Sequence, residues 1–217
     1  MQIAILLFEE FTALDAIGPF QTLGPLPGAE TVFVAEQAGP VRDDSGNLSV
    51  VAQKSLDEVT SPDIVVVPGG PHVPVDNKAI QEWLRQVDAS TTWTTSVCTG
   101  SLLLGAAGLL KGRRATSHWL YMDQCAAYGA ETTGERVVFD GKYVTAAGVS
   151  SGIDMGLALA GKIAGDDHAQ IVQLMTEYDP QPPYDAGSPD KAPAHLVELM
   201  RSMMRPDSAA SQDPVSS

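Results

Sequence analysis

Residues 2–8, Gln-Ile-Ala-Ile-Leu-Leu-Phe, make a nearly unbroken apolar run of strand length, the pattern of a strand covered on both faces in a parallel sheet. The same pattern returns over 30–36, with Thr31, Val32, Phe33 and Val34, and over 63–67, with Ile64 to Val67. Between these runs the apolar spacing changes from strand to helix. Ile80, Trp83, Leu84 and Val87 share one face and predict a helix over 77–87, and Ile153, Met155, Leu157, Leu159 and Ile163 make a core pattern for a helix over 151–164. Further helices are predicted from Leu14 onward despite Gly18 and Pro19, from Trp119 to Tyr128, over 168–177 and over 192–204. Two alternating stretches read as hairpins, 40–52 around Ser45-Gly46-Asn47, appended to the sheet, and 136–147 through Asp140-Gly141. Buried strands alternating with helices imply an α/β fold, a mostly parallel sheet sandwiched by helices.

The pattern also sets the expected limits of the fold. Residues 1–205 are predicted as a single domain, and the polar, small-residue stretch 206–217 as a disordered tail. The segment 178–189 holds too many prolines for helix or inner strand yet carries Tyr178 and Tyr184, so it is expected to lie across a surface or a partner.

Charge narrows the function. Acids outnumber bases 27 to 13, a formal charge of −14, which argues against binding a phosphate backbone. No apolar run reaches membrane-spanning length and no secretory leader pattern stands at the start, so a cytoplasmic protein without membrane contact is expected. Cys98 and Cys125 give no sign of a structural disulfide, and Cys125 falls in what reads as a surface helix. The four histidines, His72, His118, His168 and His195, are scattered without ligand spacing, so no metal is expected.

The chemistry concentrates at residues 93–107. A strand over 93–97 meets an apolar helical run from Leu102, and Ser96 and Gly100 flank Cys98 with the small residues that a sharp strand-to-helix elbow requires. At such an apex, free N–H groups and the helix dipole would favour thiolate over thiol, making Cys98 a candidate nucleophile; the plainer alternative is a buried cysteine used as a small apolar residue. Asp15 falls near the carboxyl end of the first strand, the edge where ligands bind in open α/β sheets, and reads equally as a functional acid or a helix cap. Gly69-Gly70 closes the third buried strand, either as a plain turn or as a half oxyanion hole with a free N–H. His118 is a possible acid–base partner for Cys98, a capping residue or a pocket wall.

The run of a buried first strand leading to Asp15, Pro68-Gly69-Gly70, Ser96-Val97-Cys98-Thr99-Gly100 and Gly148-Val149-Ser150-Ser151-Gly152-Ile153-Asp154 resembles the DJ-1/PfpI superfamily. Within it, Leu14 to Pro19, Thr95 to Leu110, Gly112 to Trp119 and the Pro-rich segment 178–189 are similar to the isonitrile hydratases. The resemblance implies a flavodoxin-like (class I glutamine amidotransferase-like) sheet with a nucleophile elbow, a homodimer, and hydration of an isonitrile to a formamide with no cofactor. It also implies Cys98 as nucleophile, Asp15 as acid and base, and Thr99 as the helping neighbour. Gly69, Gly70, His118 and Trp119 become the expected substrate-side residues.

Thr99 stands where superfamily members proposed as proteases carry His, so proteolysis is not expected. Two other readings remain at this point: glyoxalase or deglycase-like addition of the thiol to an aldehyde, and a redox-responsive binding module. A helix-turn-helix regulator is discounted, because the stretch from Ala192 to Ser217 is only 26 residues long and holds no basic domain.

Overall fold

The computed structural model describes residues 1–204. The expected tail 206–217 lies outside the described residues. In chain order the elements are β1 (Gln2–Leu6), α1 (Ala13–Leu23), β2 (Glu30–Ala35), β3 (Gly39–Arg42), β4 (Ser49–Ala52), β5 (Lys54–Ser55), β6 (Ile64–Val67), α2 (Lys78–Asp88), β7 (Trp93–Val97) and α3 (Gly100–Ala106). They continue with β8 (Arg114–Ala115), α4 (Met122–Ala127), β9 (Glu131–Thr132), β10 (Val137–Asp140), β11 (Tyr143–Ala146), α5 (Ser151–Ala164), α6 (Asp166–Met175) and α7 (Ala194–Met204). Compact packing divides the chain into one unit over Met1–Tyr178 and a second from Asp179, which contains α7.

One seven-stranded sheet runs in the order β10-β11-β7-β6-β1-β2-β5. Every pairing in it is parallel except the β10–β11 hairpin. The apolar runs explain the interior: Ile3, Ile5, Leu6, Val65, Val66 and Val67 are buried, as strands with helices on both faces require. Helix α5 packs against α1 and α6, α3 packs against α2 and α4, and the two groups flank the sheet. This is the flavodoxin-like architecture expected from the alternation of elements.

Several details depart from the reading of the pattern. The 40–52 hairpin forms its own two-stranded sheet, β3–β4, instead of extending the main one. β5, β8 and β9 are only two residues long, too short to leave a periodicity. The helix expected from Trp119 begins as a 3-10 turn over Trp119–Tyr121 before α4. α4 is the expected surface helix, with Asp123, Gln124, Ala126 and Ala127 exposed, but Cys125 itself faces inward and is wholly buried, turned toward Ser101 of α3. Both cysteines are free thiols. Among the described residues no helix is long and apolar enough to cross a membrane.

Candidate active site

Strand order brings the chemistry together. β7, β6 and β1 are consecutive neighbours, so the segments leaving their carboxyl ends share one edge of the sheet. Those segments carry Cys98 after β7, Gly69-Gly70 after β6 and Asp15 on α1 after β1.

The elbow is a strained turn. Cys98 adopts φ +57°, a left-handed conformation that a non-glycine residue rarely holds. Its N–H donates to the carbonyls of Ala146 (3.0 Å) and Ala147 (2.9 Å) of the β11 segment, and its own carbonyl accepts from the Ser101 and Ser117 hydroxyls, each at 3.2 Å. Glycine is required next: a Cβ on Gly100 would sit 2.1 Å from the Val67 carbonyl oxygen. The tight packing leaves the Cys98 side chain buried, with 6% of the residue exposed.

Asp15 is completely buried. Its Oδ2 accepts the Gly69 N–H at 2.9 Å, while Oδ1 has no hydrogen-bond partner among the described residues. The carboxyl therefore ties two strand ends together instead of capping α1. Burial is the main cause that pushes its pKa up to about 7; the bond from Gly69 and a hydrogen bond with the Cys98 side chain pull it back, and the Asp44 charge adds a small rise. A buried carboxyl oxygen without a donor fits a group that carries a proton there.

The thiol departs from expectation. A helix N-terminus at the elbow was expected to hold Cys98 as thiolate, yet burial first and the Asp15 charge second push it up to about 12. The N–H groups of Val149 and Thr99 and the Thr99 hydroxyl favour the thiolate but are outweighed. α3 is only seven residues long and its dipole acts against a desolvated site. Asp15 and Cys98 thus form a coupled pair in which the charge on one disfavours the charge on the other.

The glycine amides also differ from the expected oxyanion hole. The Gly69 N–H is engaged by Asp15, and the Gly70 N–H donates to Thr99 Oγ1 at 2.9 Å. The Thr99 hydroxyl in turn donates to the Gly70 carbonyl at 2.8 Å. Neither amide is free to meet developing charge; both hold the site's shape, and Thr99 is the clasp between elbow and Gly-Gly turn.

His118 caps the 3-10 turn after β8, its Nδ1 accepting the Leu120 N–H at 3.3 Å, and burial pulls its pKa down, which keeps the ring neutral. It is not bonded to Cys98; a Cβ on Gly148 would lie 2.7 Å from its ring carbon, so it packs on the loop that carries Val149. Trp119 follows on the same turn, its ring 5.9 Å from that of His118. Two features escaped the sequence reading. Val149, with φ +23°, turns its N–H to the Cys98 sulfur, and the half-buried Tyr121 phenol feels the Cys98 charge. The Gly148–Gly152 motif carries part of the family resemblance, but nothing in it marks Val149 as a donor. Among the described residues no group of acidic, His or Cys side chains is placed to hold a metal ion.

With this geometry in place, comparison with known proteins is specific. The chain is 41% identical over 208 residues to the isonitrile hydratase of Pseudomonas putida, covering 95% of this chain and 91% of that protein. It is 31% identical over 150 residues to the deglycase PfpI of Pyrococcus furiosus, covering 67% of this chain and 89% of that one. A crystal structure of a ThiJ/PfpI family protein from Pseudomonas syringae superposes with a TM-score of 0.90 at 39% identity, covering 93% of this chain and 85% of that chain. The DJ-1/PfpI family profile matches residues 1–162, so the elbow, the Gly-Gly turn and the buried aspartate lie in a member of the DJ-1/PfpI family.

Proposed function

We propose that this chain is an isonitrile hydratase in which Cys98 is the nucleophile and Asp15 the acid and base. The observation that carries the reading is the buried Asp15–Cys98 pair, in which an unpartnered carboxyl oxygen with a pKa raised to about 7 stands beside a thiol. The near-full-length identity to an isonitrile hydratase supports the substrate class.

An isonitrile's terminal carbon accepts a nucleophile and must also gain a proton. With one proton on the pair, thiol with carboxylate interconverts with thiolate and carboxylic acid, and the second form holds both reagents. The Cys98 sulfur bonds to the carbon while the Asp15 proton moves to that same carbon, giving a thioimidate, R–N=CH–S, and a carboxylate. Water then adds to the carbon as Asp15 takes one of its protons. Asp15 passes that proton to nitrogen. The remaining hydroxyl proton goes to Asp15 as C=O forms and C–S breaks, which releases the N-substituted formamide and restores the starting pair. Protons and electron pairs come from Cys98, Asp15, substrate and water, so the reading calls for no cofactor. It includes a homodimer, as the family resemblance implies, and the cytoplasmic location expected from the sequence pattern.

The test is incubation with cyclohexyl isocyanide and detection of N-cyclohexylformamide. Turnover that Cys98→Ala abolishes supports the assignment, and full activity of Cys98→Ala would sink the nucleophile. The identity to a deglycase supports a second reading, addition of the thiol to an aldehyde; turnover of methylglyoxal with none of the isonitrile would favour that instead. A redox-sensing role fits less well, because facile oxidation needs a low-pKa thiol and burial holds Cys98 at about 12.

A further inference from the structure

The thioimidate nitrogen needs a hydrogen-bond donor as water adds to the neighbouring carbon, and the two glycine amides are already occupied. The backbone N–H groups of Val149 and Thr99 are directed at the sulfur. Beside the elbow stands the turn Ser117–Tyr121. It is pinned to the elbow by the Ser117 hydroxyl on the Cys98 carbonyl at 3.2 Å and closed by the Tyr121 N–H on the His118 carbonyl at 2.8 Å. The Tyr121 ring stands edge-on to His118 with centroids 6.0 Å apart, which fixes its direction. Its phenol is near enough to Cys98 for their charges to interact. The residue is only partly covered, which leaves part of it open to an incoming molecule.

We propose that Tyr121 is a further catalytic residue of the isonitrile reaction, its phenol O–H donating a hydrogen bond to the substrate-derived nitrogen during hydrolysis of the thioimidate. This rests on the isonitrile hydratase reading above. No proton is transferred at Tyr121: the phenol keeps its proton throughout, and Asp15 supplies the one that nitrogen gains. The bond strengthens as negative charge gathers on nitrogen when the water oxygen bonds to carbon, and this is the kind of donor that accelerates a step through its charge alone. Burial raises the phenol's pKa, in keeping with a group that donates without ionising.

The experiment compares the full-length protein with Tyr121→Phe, which keeps the ring against His118 and removes only the hydroxyl. The readouts are steady-state hydration of cyclohexyl isocyanide, intact mass after rapid acid quench, and the rate of Cys98 alkylation by iodoacetamide in a Cys125→Ser background. We expect kcat to fall by about tenfold to a hundredfold, the usual worth of a hydrogen bond to a charged group. We also expect the covalent adduct on Cys98 to accumulate and the alkylation rate to stay the same. Unchanged kcat, or a lower kcat without accumulating adduct or with slowed alkylation, overturns the role. If the unsubstituted protein itself forms no formamide, the isonitrile reading fails and this proposal with it; an active parent with an unaffected Tyr121→Phe removes this proposal alone.

Discussion

The Asp15 charge raises the Cys98 thiol, while a hydrogen bond with the Cys98 side chain lowers the Asp15 carboxyl, so the two groups titrate as one buried unit. Their separation, from about 7 to about 12, leaves a wide pH range in which the pair holds a single proton.

That state is the reactive one, which makes the pH profile a direct test. As pH falls through about 7, Asp15 takes up a second proton and the thiol can no longer pass its own to the carboxylate. kcat/KM for cyclohexyl isocyanide is expected to rise with an apparent midpoint near 7 and to stay level on the alkaline side up to at least pH 9. Initial rates between pH 5 and 9 check this. A level profile across that range would contradict the coupled pair.

Asp15 should also cost stability at neutral pH. Its pKa is raised from 3.8 in an ordinary carboxyl to about 7 in the folded chain. The native state therefore holds the proton more tightly, and this contribution is complete below 3.8 and lost as pH rises through about 7. A shift of this size corresponds to roughly 4 kcal/mol. Asp15→Asn keeps an acceptor for the Gly69 N–H and has no charge to bury. Its stability relative to the parent is expected to improve steadily between pH 4 and 8, with the carboxyl's function gone. Urea unfolding of both proteins at several pH values measures the gap, and a gap independent of pH would refute the burial argument.

How much of this could be read beforehand depended on the range of the interactions involved. The strands at 2–8 and 63–67 were legible because burial on both faces leaves an uninterrupted apolar run. Cys98 and Asp15 were legible as candidates because elbow and strand-end positions have local signatures, in Ser96, Gly100 and the loop after β1. The state of the thiol was not, since it is decided by desolvation and by a carboxyl 83 positions away in the chain. The occupied glycine amides were hidden for the same reason. Gly70 and Thr99 meet only because β6 and β7 lie side by side. Tyr121 has no signature at all, as its place depends on how a 3-10 turn is pinned to the elbow.

Gly69 should tolerate no side chain. A Cβ there would lie 2.6 Å from both the N and Oγ1 of Thr99 and 2.9 Å from Asp15 Oδ2. None of these atoms is the loose end of a flexible chain, so the backbone after β6 must move. Gly69→Ala is expected to lose about 1–3 kcal/mol, the usual penalty of overpacking, together with most of its hydration activity. Gly134→Ala, where nothing lies within 4 Å of the added carbon, is the control. Equal melting temperatures for the two variants would contradict the packing argument.

Thr99→Val separates shape from hydrogen bonding at the clasp. Valine matches threonine in volume, but it removes the acceptor for the Gly70 N–H at 2.9 Å and the donor to the Gly70 carbonyl at 2.8 Å, both in the buried interior. Leaving a buried backbone group unsatisfied costs about 1–3 kcal/mol, and the Thr99 hydroxyl also favours negative charge on the Cys98 sulfur. The variant should therefore be less stable than the parent and slower in kcat. Thr99→Ser, which restores the hydroxyl without the methyl, should recover most of both. If Val keeps the stability and kcat of the parent while Ser loses them, the methyl group and not the hydroxyl is what the site requires, and the clasp between the elbow and the Gly-Gly turn has no energetic role.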